Sequence, residues 1–458
     1  MGRLFGTDGV RGVVGSELTP ELALRLGRAI GAYFGLGSRV LVGRDVRSGG
    51  DLLVKAVVSG LLSEGVKVYY SGLLPTPALQ YAVKTGPYDG GVMVTASHNP
   101  PEYNGIKVIG GDGIEVPRED ERVIEEYYFK GSASRLEWRS LAQDSSIVSG
   151  VIDDYIEAIK SQVDVDLISK AGFKAVVDCG NSVGSLVTPR LLTELGVRVV
   201  TLNCDLNPHF PGREPEPTPT TLETAGELVK IVKADFGVGH DGDADRAIII
   251  DNNGEAHWGD RTGALLTLFA SRHWRDLPRR TYTGVSSSTL VEDYLRPHGI
   301  DVVWTPVGSV VISRMIQRDG GAISGFEENG GYMHTPHHIV RDGAMTAALL
   351  AYMMAEEEVD LATLYSRLPR YYSIKTKIPA TRQEALCGVE AVKEAYSGYR
   401  QVTIDGVKVF GEDFWVLVRP SGTEPVLRIM LEAKTPERAR SLLEEVKGIV
   451  SSKCLGKT

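Results

Sequence analysis

One serine of the sequence lies where a nucleophile could be presented. Ser97 is part of TASHNP, residues 95–100, directly after the apolar stretch 91–94, which predicts a buried strand. A hydroxyl on a turn at the end of a strand can act as a nucleophile or carry a phosphoryl group. Its neighbour His98 is a poor general base, because adjacent side chains usually point apart and no third orienting group is evident. A plain polar turn is the alternative for this loop.

Three aspartates at alternate positions form the second candidate. Asp241, Asp243 and Asp245 lie in DGDADR, between two strand-like segments. Carboxylates spaced in this way can converge on a hard cation, and Mg²⁺ sites leave room for a phosphate oxygen. An EF-hand loop is excluded, because Arg246 replaces the glycine of its sixth position and Asn252 the glutamate of its twelfth. Arg246 also favours a bound phosphoryl group over the alternative, a solvated acidic turn.

Two further loops could hold a phosphorylated sugar without reacting with it. In RPSGTEP, Arg419 supplies a guanidinium, two hydroxyls and a glycine turn add groups that can face an anion, and Arg428 follows shortly after. In FEENGG, Glu327 and Asn329 offer carboxylate and amide groups suited to sugar hydroxyls. A hairpin turn is the alternative for the first loop, and a helix N-cap or turn for the second.

Other motifs point away from nucleotide and zinc chemistry. The sequence has no Walker lysine loop and no GxGxxG after a strand, which argues against nucleotide binding. The histidines of residues 332–338 lack the helical spacing and the cysteine partners of a zinc site. Arg11, Arg44 and Lys107 would suit a phosphate ligand, although single basic residues are more often solvated.

A repeated pattern of elements would position these loops. An apolar strand, a polar turn, a helix and a second apolar strand recur over residues 39–72, 174–204 and 281–306. This pattern predicts parallel strands joined by helices, with ligands beyond the carboxyl ends of the strands. The C-terminal segment instead predicts a hairpin, a further strand and a helix. The sequence therefore predicts three related mixed α/β domains over 1–150, 151–252 and 253–367, followed by an α+β domain over 368–458.

Composition favours an ordinary globular protein. The chain has 458 residues, 42% of them apolar, and a net charge of −9, which disfavours nucleic acid as a partner. No run of about 18 apolar residues would span a membrane, and the first residues lack the apolar core of a secretory signal. The sequence has four widely spaced cysteines: Cys179, Cys204, Cys387 and Cys454. Their spacing predicts free thiols and, together with the other features, a cytoplasmic location.

The four motifs occur in a family-specific order. TASHNPPEYNGIKV, GVGHDGDADR, GFEENGG and RPSGTEP, together with FGTDGVRG and NPHFPGREPEPTP, closely resemble the α-D-phosphohexomutase superfamily over essentially the whole chain. The resemblance implies four domains around a central cleft, Mg²⁺ as cofactor and a hexose 1,6-bisphosphate as intermediate and activator. It implies a phosphoserine at Ser97 whose phosphate binds the metal together with the three aspartates. The other implied residues are Lys107, Arg11 and Arg246 near the transferred phosphate, Glu327 and Asn329 at the sugar, and Arg419, Ser421, Gly422 and Thr423 at the distal phosphate.

The implied reaction interconverts hexose 6-phosphate and hexose 1-phosphate. FGTDGVRG with RPSGTEP favours glucosamine phosphate, while a bifunctional phosphomannomutase/phosphoglucomutase is the main alternative. The sugar loop ends in Gly330-Gly331 where several bacterial members of the superfamily have Gly-His, so Lys107 or Arg11 becomes the candidate acid or base. A serine-dependent metal phosphatase and a non-catalytic sugar-phosphate-binding protein are remote alternatives. A homo-oligomer is left open.

Overall fold

The computed structural model describes residues 4–6, 9–131, 136–141, 145–421 and 425–454. Within these residues, the strands form four separate sheets, one for each predicted domain. Short 3₁₀ turns are present at Trp138–Ser140, Val183–Leu186 and Arg296–His298. No helix of the described chain is long and apolar enough to cross a bilayer.

The first sheet carries the serine loop. Its elements are β1 (Val10–Val13), α1 (Pro20–Phe34), β2 (Arg39–Arg44), α2 (Gly50–Ser63), β3 (Lys67–Leu73), α3 (Thr76–Thr85), β4 (Gly90–Val94), β5 (Tyr103–Gly110), α4 (Arg118–Lys130) and β6 (Ser146–Ile147). The strand order is β1-β5-β4-β2-β3-β6, and the strands from β4 to β6 in this order are parallel. The antiparallel pair β4–β5 leaves residues 95–102 as the loop at its end.

The second sheet carries the aspartate loop. Its elements are α5 (Val151–Lys160), α6 (Val165–Ala171), β7 (Lys174–Asp178), α7 (Thr188–Glu194), β8 (Arg198–Leu202), α8 (Glu223–Val232), β9 (Phe236–His240), β10 (Ala247–Ile250) and β11 (Ala256–His257). The strand order is β11-β10-β9-β7-β8. His240 pairs with Ala247 across the antiparallel strands β9 and β10, so residues 241–246 form the tip of a hairpin.

The third sheet carries the sugar loop. Its elements are α9 (Gly259–His273), β12 (Arg280–Gly284), α10 (Leu290–Leu295), β13 (Asp301–Thr305), α11 (Ser309–Arg318), β14 (Ser324–Phe326), β15 (Tyr332–His334), α12 (Gly343–Glu357) and α13 (Leu361–Ser366). The strand order is β13-β12-β14-β15, with β14 and β15 antiparallel. The sugar loop, residues 327–331, connects these two strands.

The fourth sheet is antiparallel throughout its described strands. Its elements are β16 (Tyr372–Pro379), α14 (Arg382–Ala395), β17 (Arg400–Val402), β18 (Val407–Phe410), β19 (Phe414–Pro420), β20 (Val426–Ala433) and α15 (Pro436–Lys453). The strand order is β16-β20-β19-β18-β17. Thr381 and Glu384 form a capping box that starts α14.

The sequence prediction of three related α/β domains and one α+β domain is confirmed. The parallel pairs β2–β3, β7–β8 and β12–β13 are the three predicted repeats. All four candidate loops nevertheless connect antiparallel neighbours: β4–β5, β9–β10, β14–β15 and β19–β20. Each domain therefore presents its loop at the end of a hairpin rather than at a helical crossover.

The first three domains share a large hydrophobic cluster, and the first domain also has a second core cluster of its own. Buried side chains of the first domain, such as Met93, belong to the same cluster as Val177 of the second and Leu349 of the third. The fourth domain has its own core between its sheet and helices α14 and α15. Burial of apolar surface thus holds the first three domains together more extensively than it holds the fourth.

The contact between the third and fourth domains includes a buried lysine. The Nζ atom of Lys408 lies 3.8 Å from the ring centroid of Trp304 and 4.1 Å from that of Trp415, and it donates to the carbonyl of Ser287. Burial lowers the pKa of Lys408 to about 7, although nearby carboxylates, Glu432 first among them, oppose this shift. Lys408 is one part of an interface that also contains ion pairs of Arg400 and Lys375 with the third domain and an apolar cluster around Trp415.

The expectation of free thiols is wrong, because the cysteines form two disulfides. Cys179 pairs with Cys204, and Cys387 pairs with Cys454. The parallel register of β7 and β8 places Asp178 beside Leu202, which brings the residues that follow both strands together. In the fourth domain, the helix α14 packs against α15 and aligns the other pair. Neither proximity could be read from the spacing of the cysteines in the sequence.

Removing the disulfide Cys387–Cys454 is expected to destabilise the fourth domain. The bond closes a loop with a sequence separation of 67 residues, so the chain-entropy relation gives a loss of about 4 kcal/mol in the free energy of unfolding. The Cys387→Ser/Cys454→Ser variant would be compared with the wild type by chemical denaturation, with Cys179→Ser/Cys204→Ser as its counterpart. Reaction of the denatured, unreduced wild type with a thiol reagent at all four cysteines would contradict both disulfides.

Candidate active site

Ser97 lies at the meeting point of the first two domains. Its side chain is fully buried, and its Oγ donates to Oδ2 of Asp241 at 2.7 Å. Its backbone has a positive φ of 51°, an uncommon conformation for a residue with a side chain. A Cβ atom on Gly242 would lie 2.4 Å from the carbonyl oxygen of Ser97, so only glycine permits this approach of the two loops. The structure therefore brings the predicted nucleophile and the predicted cation loop together.

His98 does not form a catalytic triad with Ser97. Its Nδ1 lies 3.4 Å from the Oγ of Ser97 and 3.0 Å from a guanidinium nitrogen of Arg246. An Nδ1 that accepts a hydrogen bond from Arg246 is oriented by a cation rather than by a carboxylate, unlike the histidine of a triad.

The serine loop is held by an arginine that the sequence reasoning missed. Arg47 is 1% exposed, and its guanidinium donates at 2.6–3.0 Å to the carbonyls of three loop residues and of the first residue of β5: Ser97, Asn99, Pro100 and Tyr103. Arg44, the neighbouring candidate from the sequence, instead contacts Tyr70 and Asp51. The backbone around the nucleophile is thus fixed by one buried cation.

Asp45 completes this support. Its Oδ2 lies 3.2 Å from Nε of Arg47 and accepts a hydrogen bond from the Thr95 hydroxyl at 2.6 Å. That hydroxyl in turn accepts from the backbone N–H of Ser97 at 2.9 Å. Burial raises the pKa of Asp45 to about 6, while the charge of Arg47 acts in the opposite direction. The order of the strands explains this network. Because β2 and β4 are neighbours and Arg44 pairs with Val94 at their carboxyl ends, the residues that follow the two strands meet.

The three aspartates form a buried cluster suited to a cation. Asp241, Asp243 and Asp245 each offer an oxygen within 4.8 Å of the others, and all are buried. The Oδ1 atoms of Asp243 and Asp245 have no hydrogen-bond partner. Burial and the neighbouring carboxylates raise the pKa of Asp241 well above its usual value. Buried carboxylate oxygens without donors fit a hard divalent cation, which would satisfy them.

The cation that this cluster can hold leads to a direct prediction. Asp243→Asn is expected to weaken Mg²⁺ binding by at least about 10²-fold, because one buried anionic ligand is lost. Isothermal titration with Mg²⁺ on protein treated with a chelator would measure the change. Asp178→Asn is the matched control, since Asp178 is a buried aspartate of the same domain that forms an ion pair with Arg213 outside the cluster. Equal Mg²⁺ affinity in the wild type and Asp243→Asn would contradict this assignment.

The predicted basic residues surround the cluster. The Nζ of Lys107 is buried, 3.2 Å from Asp243 Oδ2, 3.4 Å from Glu115 Oε1 and 3.7 Å from Asp245 Oδ2. Burial disfavours its charge, but these carboxylates together raise its pKa above the ordinary value. The hydroxyl of Thr76, which the sequence reasoning missed, donates to Asp243 Oδ2 at 2.6 Å.

Two predicted arginines flank Ser97. The backbone N–H of Arg246 donates to Asp241 Oδ1 at 3.2 Å, and its Nε lies 3.8 Å from Oδ2 of the same aspartate. Arg11 extends from β1, and its guanidinium donates to Oδ1 of Asn99 in the serine loop at 2.5 Å. The structure thus places Arg246 and Lys107 beside the aspartates and Arg11 against the serine loop.

The sugar loop packs beside the aspartate loop. The Oε2 of Glu327 accepts from Arg341 at 3.1 Å, and the same guanidinium donates to Asp245 Oδ2 at 2.5 Å. Asn329 accepts from the backbone of Gly331 at 3.2 Å and so braces the loop in this conformation. Arg341, which no sequence motif indicated, therefore joins Glu327 to the cation cluster.

The phosphate loop belongs to the fourth domain. Arg419, the penultimate residue of β19, lies directly opposite Arg428 on β20 and forms an ion pair with Asp405 at 2.9 Å. Two arginines paired across strands repel each other unless an anion offsets their charge. Arg419 and Ser421 line a groove of about 780 Å³. Gly422 and Thr423, predicted for the same role, lie outside the described residues. The hydrogen bonds of Ser97 with Asp241 and of Arg341 with Asp245 and Glu327 join the serine, aspartate and sugar loops. The ion pair of Arg419 lies within the fourth domain.

Comparison with known proteins agrees with this arrangement. Four family profiles match in order: phosphoglucomutase/phosphomannomutase alpha/beta/alpha domain I at residues 2–135, domain II at 153–254, domain III at 258–372 and the C-terminal domain at 376–449. The chain belongs to the phosphoglucomutase/phosphomannomutase family. The resemblance inferred from the four motifs is confirmed.

Relatives of the chain carry the names of mutases. It is 52% identical over 458 residues to a phosphoglucosamine/phosphogalactosamine mutase of Sulfurisphaera tokodaii, covering 99% of this chain and 100% of that one. It is 43% identical to a phosphoglucomutase/phosphomannomutase of Thermococcus kodakarensis, covering 97% of each. A crystal structure of a phosphoglucomutase/phosphomannomutase family protein from Burkholderia thailandensis superposes with a TM-score of 0.86 at 26% identity, covering 98% and 97%. The protein is an intramolecular phosphotransferase of the phosphohexomutase class.

Proposed function

We propose that this protein interconverts glucosamine 6-phosphate and glucosamine 1-phosphate through a phosphorylated Ser97. The hydrogen bond between Ser97 and Asp241, which brings the nucleophile of one domain to the cation site of another, is the observation that carries the proposal. The 52% identity to a phosphoglucosamine/phosphogalactosamine mutase supports the amino sugar as substrate. The relative named phosphoglucomutase/phosphomannomutase supports the second candidate, a bifunctional enzyme for glucose and mannose phosphates.

The proposed chemistry is two successive phosphoryl transfers. In the first, the P–O bond to Ser97 Oγ breaks while a bond from phosphorus to a sugar hydroxyl oxygen forms, and the proton of that hydroxyl ends on Ser97 Oγ, which is restored as a free hydroxyl. The resulting hexose 1,6-bisphosphate turns around, and its other phosphoryl group returns to Ser97. Mg²⁺ held by Asp241, Asp243 and Asp245 would offset the charge of the phosphoryl group. Lys107, Arg11 and Arg246 lie where they can do the same.

The remaining side chains would bind and orient the sugar. Glu327 supplies a buried carboxylate at the edge of the cation cluster, where a sugar hydroxyl or ammonium could bind. Arg419, Ser421 and Arg428 would anchor the phosphate that does not react, with Gly422 and Thr423 predicted to contribute. A fourth domain with its own core suits this role, because a reoriented substrate must be released and held again.

Parallel assays with glucosamine, glucose and mannose 6-phosphates test the substrate. We expect kcat/KM for the amino sugar to exceed the other two by at least about 10-fold, a difference of about 1.4 kcal/mol in transition-state binding. Comparable values would favour the bifunctional enzyme. Release of inorganic phosphate without isomerisation would instead indicate a phosphatase.

A cytoplasmic location belongs to the same proposal. The disulfides do not contradict it, since intracellular proteins of hyperthermophiles can be rich in disulfides. The domain boundaries at residues 150, 252 and 367 stay predictions from the sequence. A homo-oligomer is left open, as in the sequence analysis.

A further inference from the structure

Arg341 connects two loops that come from different domains. It immediately precedes Asp342, the N-cap of α12, and its side chain is 4% exposed. One of its terminal nitrogens donates to Asp245 in the aspartate loop, and the other donates to Glu327 in the sugar loop. The planar guanidinium fork fixes the direction of both hydrogen bonds at once. The position of the sugar-loop carboxylate is therefore coupled to that of the cation cluster.

The path of Arg341 requires a glycine in the sugar loop. A Cβ atom on Gly331 would lie 2.2 Å from Cδ and 2.7 Å from Cγ of Arg341. Both distances are far below an ordinary contact, so a side chain at position 331 would displace the stem of the arginine. Gly331 and Arg341 thus form a matched pair in this chain.

The hydrogen bond to Asp245 has a consequence for cation binding. Arg341 occupies Oδ2 of Asp245, from which Lys107 also lies at 3.7 Å, whereas Oδ1 accepts no hydrogen bond and lies 3.8 Å from Nε of Arg246. A donor on one oxygen orients the carboxylate and leaves the other oxygen for a cation. Groups that orient a metal ligand in this way usually change metal affinity by about 10- to 100-fold when they are removed.

We propose that Arg341 is a positioning residue that fixes Glu327 and Asp245 relative to each other. The sugar and the phosphoryl group would thereby be held at a fixed relative position across the boundary between the second and third domains. We call the contact of Arg341 with Glu327 the sugar arm and its contact with Asp245 the metal arm. The expected effect of the sugar arm rests on the proposed function, whereas that of the metal arm depends only on the aspartate cluster. Arg341 acts through the two carboxylates and takes no part in bond making.

Substitution of Arg341 tests both arms. Arg341→Gln is expected to weaken Mg²⁺ binding by about 10-fold in isothermal titration and to lower kcat/KM for the hexose phosphate by about 10-fold. Arg341→Lys should restore at most one arm, because an ammonium lacks the fork. Arg280→Gln is the matched control, since Arg280 is a half-buried arginine of the same domain that donates to the carbonyls of Gly321 and Asp319. Wild-type Mg²⁺ affinity in Arg341→Gln would overturn the proposal.

A double-mutant cycle separates positioning from a merely structural role. In a Glu327→Gln background, Arg341→Gln should no longer lower kcat/KM through the sugar arm, while its effect on Mg²⁺ affinity should persist. Full additivity of the two substitutions on kcat/KM would overturn the coupling. If the wild type shows no isomerisation at all, the proposed function fails, and the Mg²⁺ titration still tests Arg341.

Gly331→Ala as a single substitution gives a route that leaves every charge of the site unchanged. It is expected to weaken Mg²⁺ binding in the same direction as Arg341→Gln, because it displaces the arginine. In an Arg341→Ala background, where the stem is gone, Gly331→Ala should have little further effect on Mg²⁺ affinity. A Gly331→Ala variant with unchanged Mg²⁺ affinity would contradict the proposal.

Discussion

Replacing Ser97 by alanine is expected to lower mutase turnover by at least about 10³-fold while the protein stays folded. The Oγ of Ser97 is the atom that would carry the phosphoryl group, and it is buried against Asp241. No other side chain can replace a covalent carrier at the same position. A coupled assay for hexose 1-phosphate, with circular dichroism for the fold, measures both parts of the prediction.

The control for Ser97→Ala is a serine with no part in the site. Ser59 lies on α2, and its hydroxyl donates to the carbonyl of Lys55 one turn earlier. Intact-mass spectrometry should find a phosphoryl group on the wild type and on Ser59→Ala but not on Ser97→Ala. A Ser97→Ala variant that turns over at more than about one tenth of the wild-type rate would rule out the carrier role.

Replacing Arg47 by methionine is expected to destabilise the protein strongly. The variant would leave Asp45 buried without its cation and remove the donors of four backbone carbonyls. Breaking one side of a buried ion pair usually costs about 3–5 kcal/mol. Chemical denaturation followed by intrinsic fluorescence would show this loss, and turnover should fall because the loop around Ser97 loses its support.

Arg44→Met is the comparison for Arg47→Met. Arg44 is a partly exposed arginine on the same segment, and its ion pair with Asp51 has a distance of 3.4 Å. Exposed pairs of this kind contribute about 0–1 kcal/mol. Equal stability losses in the two variants would show that the buried network does not determine the stability of the serine loop.

The sequence predicted those parts of the site whose chemistry is local along the chain. Ser97, the three aspartates and the basic residue Arg246 lie in short motifs, and the structure brings them together. The strand–helix–strand pattern likewise predicted the α/β domains, because hydrophobic periodicity is a local property. Their agreement with the structure follows from this locality.

The supporting residues could not be predicted in the same way. Arg47 reaches the serine loop because β2 lies next to β4, and Arg341 reaches Asp245 across a domain boundary. Such contacts depend on strand order and domain packing, neither of which leaves a short motif in the sequence. The pairing of Cys179 with Cys204 depends in the same way on the register of β7 and β8.

The core shared by the first three domains also bears on how the protein can change in evolution. Since Met93, Val177 and Leu349 belong to one close-packed cluster, a change of volume at one of these positions must be accommodated by side chains of the other two domains. The fourth domain packs around a core of its own and contacts the third through groups such as Lys408, Trp304 and the apolar cluster around Trp415. A substitution inside the core of the fourth domain can therefore be accommodated within that domain, whereas one in the shared cluster alters the packing of three domains at once.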